Sequence, residues 1–147
     1  MAEVRKTVLI ERSAEQMFRL VDDVEHYPQF LTWCGGSQLI ERTDVLTRAR
    51  IDINYHGVKA HFITANDKVF PRSMTIRPVE GPFNRLDGTW LFTPLGEAAC
   101  KVEFNLHYEF SSRLIEKVVG PVFSHIANTF VDAFVKQADR QYGQGTQ

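Results

Sequence analysis

At 147 residues, with 44% hydrophobic and 24% charged side chains, the chain has the make-up of one globular domain and not of a disordered segment. A formal net charge of −1 gives no overall pull toward DNA or an anionic membrane, so any such contact must come from a local patch. The opening MAEVRKTVLIERS holds no apolar run of signal-peptide length, and no stretch approaches the roughly 18 apolar residues of a membrane span. The expectation is a cytoplasmic protein, peripheral to the inner membrane at most, in which Cys34 and Cys100 are free thiols.

In chain order, Val4–Glu11 reads as a strand with Val4, Val8 and Ile10 on one face. Ser13 followed by Gln16 fits a capping box, and Met17, Phe18, Leu20 and Val21 form the apolar stripe of the helix it opens. Pro28 is expected to end regular helix and to leave an aromatic-rich loop, Tyr27–Trp33, carrying Phe30, Leu31 and Trp33. A loop so apolar either plugs a core or lids a pocket. Gly35-Gly36 reads as a turn, and Ser37–Glu41 as a short strand.

Five further strand regions follow. Thr47–Tyr55 alternates Ala49, Ile51, Ile53 and Tyr55 with Arg48, Arg50, Asp52 and Asn54; Gly57 reverses the chain into Val58–Val69. Met74–Pro78 is short, and Leu86, Gly88, Trp90 and Phe92 share the next face. Val102, Phe104, Leu106, Tyr108 and Phe110 alternate strictly with polar residues, the mark of an antiparallel sheet with one buried and one wet face. A long helix runs from Ser112 as N-cap to about Tyr142, with Val119, Phe123, Ile126, Phe130 and Phe134 in its stripe; Pro121 within it predicts a kink or break. One domain thus spans 1–147, with a frayed tail at 143–147. The class is α+β, with a curved antiparallel sheet covered by one long helix.

The five histidines are scattered, no metal-ligand spacing occurs, and no P-loop, GxGxxG or GxSxG is present. No carboxylate is paired with an apolar pocket, so an enzyme is the less favoured reading and no catalytic residue is assigned. The aromatics carry more weight. Tyr55, Phe62, Trp90, Phe92, Phe104, Tyr108 and Phe110 project from the sheet and Phe123, Phe130 and Phe134 from the helix, where Ile126 is a further candidate ligand contact. One helix is a thin cover for so wide an apolar face, and a pocket left between them suits a lipid-like ligand. Arg48 and Arg50, with Lys59, Arg72, Arg77 and Arg85 on neighbouring strands, form a candidate basic patch for RNA or phospholipid headgroups.

Three segments, YPQFLTWC at 27–34, GPFNRLDGTWLFTPL at 81–95 and VFSHIANTFVDAFVKQAD at 122–139, together resemble the coenzyme Q-binding START-like proteins, which include the RatA-type ribosome association toxins. The resemblance covers nearly the whole chain and implies a helix-grip fold of the birch-pollen-allergen type. Thr32 is a departure, because the family commonly has a second proline there. The resemblance implies a non-enzymatic binder of ubiquinone or a similar isoprenoid lipid that supports respiration, with no cofactor beyond that ligand. It places the segment Tyr27–Trp33 at the entrance of the pocket. As alternatives it implies a protein that binds the large ribosomal subunit and blocks subunit joining, with Arg48 and Arg50 as candidate contacts, or aromatase/cyclase chemistry. DNA is not an expected partner.

Overall fold

The structure, a computed structural model, describes residues 2–143. Its elements run β1 (Ala2–Ile10), α1 (Ala14–Asp22), a 3₁₀ turn at Val24–His26, α2 (Tyr27–Phe30), β2 (Cys34–Arg42), β3 (Leu46–Tyr55), β4 (Val58–Val69), β5 (Ser73–Glu80), β6 (Phe83–Pro94), β7 (Cys100–Phe110) and α3 (Arg113–Ala138). The strands form one antiparallel sheet in the order β1-β7-β6-β5-β4-β3-β2. Every step from β2 to β7 joins neighbours, whereas β1 and β2 are opposite edges. The connection between those edges, residues 11–33, therefore crosses one end of the curved sheet, and α1 and α2 are its helical parts.

Local chemistry explains most of these elements. Ser13 Oγ accepts from the Gln16 N–H while Gln16 Oε1 accepts from the Ser13 N–H, the reciprocal cap read from the sequence. The β3–β4 turn puts both His56 (φ 50°) and Gly57 (φ 81°) at positive φ, the two-residue form that matches strand twist. Ser112 caps α3 by accepting from the Ile115 N–H at 3.1 Å. β7 follows its period of two, with Val102, Phe104, Leu106, Tyr108 and Phe110 all buried.

Several expectations are corrected. Pro28 lies in the first turn of α2, where a missing N–H costs nothing, so Tyr27–Phe30 is helical and not loop. Gly35 and Gly36 lie inside β2 at a bulge and not in a turn; a Cβ at Gly35 would sit 2.8 Å from that of Asn54. Pro121 does not break α3, because it and Lys117 are both exposed and water can satisfy the carbonyl that the proline frees. Beyond α3 a π-helical turn, Asp139–Gly143, follows; the rest of the expected tail, 144–147, lies outside the described residues. The helical stretch Arg113–Gly143 is long and apolar enough by composition to cross a membrane, although charged and polar residues interrupt it. Here Val119, Phe123, Ile126, Val131 and Phe134 of that helix are buried in the domain's core. Cys34 and Cys100 are buried free thiols, and burial pushes both up, Cys100 to about 11.

One polar cluster fastens the crossing segment to the sheet. Asp22, the last residue of α1, accepts from Lys68 Nζ of β4 at 3.1 Å and from Thr47 Oγ1 of β3 at 2.6 Å. Arg42 of β2 donates to the Asp22 carbonyl at 2.8 Å and grips both carboxylate oxygens of Glu25; those hydrogen bonds hold the Glu25 carboxyl down at about 2. The Lys68 side chain is only 4% exposed, so the ion pair with Asp22 offsets the burial of both groups. Lys68→Ala is expected to destabilise the fold by about 3 kcal/mol, because it strands a partly buried carboxylate. Adding Asp22→Asn should recover part of that loss, since the amide oxygen still accepts from Thr47; urea unfolding of the two variants checks both steps.

Candidate functional site

Between the concave face of the sheet and α3 lies a cavity of about 80 Å³. Its floor comes from Ala49 and Ile51 of β3, Phe62, Thr64 and Asn66 of β4, Ile76 of β5, Leu86 and Trp90 of β6, and Phe104 and Leu106 of β7. Phe123, Ile126, Ala127 and Phe130 of α3 form one wall, and Val24, Tyr27 and Trp33 of the crossing segment form the roof. The aromatic rings hold one another at ordinary packing distances. Phe130 lies 5.8 Å from Trp90, 5.6 Å from Phe104 and 6.2 Å from Trp33, centroid to centroid. Phe62 meets Phe123 edge-on at 6.3 Å.

Tyr27 is the one ionisable side chain in this lining. Burial pushes its phenol well above the usual range, and its hydroxyl donates to the Val21 carbonyl, so it stays neutral and tethered. Thr64 and Asn66 supply the remaining non-aromatic polar atoms. The lining thus offers no acid, base or nucleophile of ordinary reactivity. Among the described residues, no group of three or more His, Cys, Asp or Glu is placed to hold a metal ion.

Of the thirteen candidate ligand contacts read from the sequence, eight line this cavity: Tyr27, Trp33, Phe62, Trp90, Phe104, Phe123, Ile126 and Phe130. The other five pack elsewhere. Tyr55 stacks on His125 of α3 at 5.5 Å, Phe92 is wedged between Trp90 and Phe18 of α1, and Tyr108 packs on Phe123 and Phe83. Phe30 rests on Phe134 and faces an outer groove with Gln137 and Gln141, while Leu31 is buried beside the cavity without lining it. Sequence reasoning missed Val24, Ala49, Ile51, Thr64, Asn66, Ile76, Leu86, Leu106 and Ala127. Strand parity already placed Ala49, Ile51, Leu86 and Leu106 on the inner face, but aromatic size decided the selection.

The basic patch is largely neutralised. Arg48 pairs with Glu41 at 3.2 Å and Arg50 with Asp52 at 2.9 Å, while Arg77 pairs with Asp67 and Arg85 with Asp87. The outer face of the sheet is a lattice of exposed ion pairs.

A curved antiparallel sheet closed by one long helix over an apolar cavity is the frame in which the comparisons with known proteins fit. The family described as "Polyketide cyclase / dehydrase and lipid transport" matches residues 10–135. The chain belongs to that family. It is 42% identical over 98% of its length to the whole of the ribosome association toxin RatA of Vibrio cholerae. It is 28% identical over 97% of its length to the coenzyme Q-binding protein COQ10 homolog B, mitochondrial, of Xenopus laevis, of which the alignment covers 60%. A START superfamily protein from Mycobacterium smegmatis superposes with a TM-score of 0.74 at 22% identity, covering 94% of this chain and 97% of that one, and shows the fold alone. The helix-grip fold expected from the sequence is therefore the fold of this polyketide cyclase/lipid transport family member.

Within that family fold, the cavity of this member is small. An engineered apolar cavity of roughly 150 Å³ stays dry and admits benzene, about twice the volume here. Phe104→Ala should cost about 3–5 kcal/mol and open the space past that threshold. Benzene is then expected to raise the melting temperature of the variant and to leave the parent unchanged, measured by thermal scanning with and without it.

Proposed function

We propose that this chain binds, without transforming it, a hydrophobic ring-bearing lipid of the isoprenoid quinone type in the cavity beneath α3, and thereby supports respiration. The observation that carries the reading is the lining: aliphatic and aromatic side chains from five strands, α3 and the roof, with a neutral tyrosine as the one ionisable group. Such a site gains affinity from burial, roughly 25 cal/mol per Å² of apolar surface, and has nothing with which to move a proton. The name of the Xenopus laevis relative points the same way. At about 80 Å³ the cavity is smaller than the roughly 150 Å³ that admits benzene. A quinone ring enters by displacing the part of the roof from Tyr27 to Trp33, which we assign as the gate. The cargo's membrane origin makes a peripheral membrane contact part of this proposal.

Purification from cells followed by organic extraction and mass spectrometry should recover an isoprenoid quinone or a related lipid; repeated preparations free of lipid would overturn the reading. Ala127→Leu should fill the space from the helix side, lowering quinone affinity at least tenfold. The overpacking cost of about 1–3 kcal/mol leaves the fold intact, so circular dichroism separates lost binding from lost structure.

A second reading, association with the large ribosomal subunit, is favoured by one observation: the 42% identity across almost the whole chain to proteins named ribosome association toxin RatA. Exposed ion pairs of the kind made by Arg48 and Arg50 are worth about 0–1 kcal/mol, so both guanidinium groups can be released to phosphate. Overproduction is then expected to shift joined ribosomes to free subunits on a sucrose gradient, and Arg48→Glu with Arg50→Glu to abolish the shift. An unchanged profile on overproduction removes this reading and leaves the cavity proposal standing.

A further inference from the structure

The apolar lining contains one buried polar atom that no described residue satisfies. Asn66 lies on the inner face of β4, between Thr47 of β3 and Ile76 of β5, and is 8% exposed. Its Oδ1 is buried and has no hydrogen-bond partner among the described residues, although the side chain lines the cavity. The two other unpartnered buried atoms, Nε of Arg12 and of Arg48, belong to guanidinium groups that bond through their terminal nitrogens. Asn66 has no such compensation. A buried acceptor left without a donor is destabilising, and native folds rarely keep one without a use.

Thr64 sits two positions earlier on the same inner face, 7% exposed, and also lines the cavity. It lies about 7 Å along the strand, with a hydroxyl that can donate or accept. The two side chains thus form a polar strip on a floor that is otherwise aliphatic and aromatic. A free amide oxygen recognises a hydrogen-bond donor. A carbonyl or ether oxygen only accepts, and facing that atom it leaves both oxygens unpaired.

We propose that Asn66, with Thr64 beside it, holds a hydroxyl of the ligand's ring, so that the cavity prefers the hydroxyl-bearing, reduced form of a quinone-type ring over the carbonyl-only, oxidised form. This rests on the cavity reading above and sharpens it from a class of lipid to a redox state of its head group. A hydroxyl also fits either orientation of the amide, because it donates to the oxygen and accepts from the nitrogen. The oxidised ring loses one of those options. Sites built around a buried polar group discriminate against ligands that leave it unpaired more sharply than apolar pockets discriminate by size.

The test is anaerobic calorimetric titration of the full chain with a short-chain benzoquinone and, separately, with its hydroquinone. Because both tryptophans of the chain, Trp33 and Trp90, line the cavity, their fluorescence gives an independent report of occupancy. The hydroquinone is expected to bind about tenfold more tightly, the factor that one net hydrogen bond supplies. Asn66→Leu should abolish that preference, so that hydroquinone and quinone bind with equal affinity. Asn66→Ala removes the amide without filling the space and should give the same loss of preference if the leucine variant does not fold. Equal affinity of the parent for both forms, or a preference that survives loss of the amide, overturns the assignment of Asn66 and leaves the cavity reading intact. Failure of both forms to bind the parent overturns the cavity reading and this inference together.

Discussion

The constraint on which the rest of this structure depends is that a single helix must cover the inner face of seven strands. α3 is 26 residues long, about 39 Å at 1.5 Å per residue, and one stripe of it can touch only part of a curved sheet. Over β6 and β7 part of the gap is bridged by rings, because Trp90 rises from the sheet to meet Phe130 and Phe134 and Phe104 rises to meet Phe130. Over β3 and β4 the inward side chains include Ala49 and Thr64, and α3 answers with Ala127. Those three small residues leave volume where larger ones would close the core. The cavity is thus a matter of residue size at a few inward positions and not of any special backbone.

The same geometry explains the charged cluster at Asp22. A carboxylate at the C-terminal end of a helix opposes the helix dipole, and a lysine on the inner face of a strand opposes burial. Each removes the other's penalty, and Thr47 and Arg42 complete the set. Asp22 is joined in this way to β2, β3 and β4, so the crossing segment is fastened to three strands at once. Along the inner face of β4 the side chains pass from Phe62 through Thr64 and Asn66 to Lys68. Polarity rises toward the point of attachment, and the unpaired amide lies between the apolar floor and the ion pair.

What the sequence shows of all this follows from where one face is wet. β3 and β7 alternate apolar with polar because solvent lies on one side only, so their spans and phases were legible. β4 was legible in extent, Val58–Val69, but not in phase, because its inner face itself carries Thr64, Asn66 and Lys68. Pro28 and Pro121 both misled for one reason: a proline's cost depends on which N–H it removes and on whether water reaches the freed carbonyl. The aromatic residues marked the correct surface but not its limits. Phe92 has the parity of Trp90, yet it sits under α1 and beyond the cavity's end. The basic face read as a patch because the arginines were counted singly: Asp52 and Asp87 stand two residues along the same strand faces from Arg50 and Arg85, whereas the pairing of Arg48 with Glu41 appears only once β2 and β3 are aligned.

The roof joins the inside of the domain to its outside. Tyr27 and Trp33 both rest on Phe130, at 6.4 Å and 6.2 Å, and Phe130 is also the ring that separates Trp90 and Phe104 from them. Space for a ligand larger than the present cavity comes from moving that ring, and moving it takes away the seat of the roof. Tyr27 cannot swing freely, since its hydroxyl is held by Val21 at the end of α1. α1 in turn is pinned by Asp22, one residue further on. Val24 is held by Ser37 and Glu25 by Arg42, so displacement of the proposed gate would fall between His26 and Cys34, where β2 begins. That stretch carries Phe30 on its outer side against Phe134, so opening of the proposed gate would change the surface presented there. A fold alone does not decide between binding a lipid and binding a partner; in this chain the segment that would open for the first is also exposed to the second.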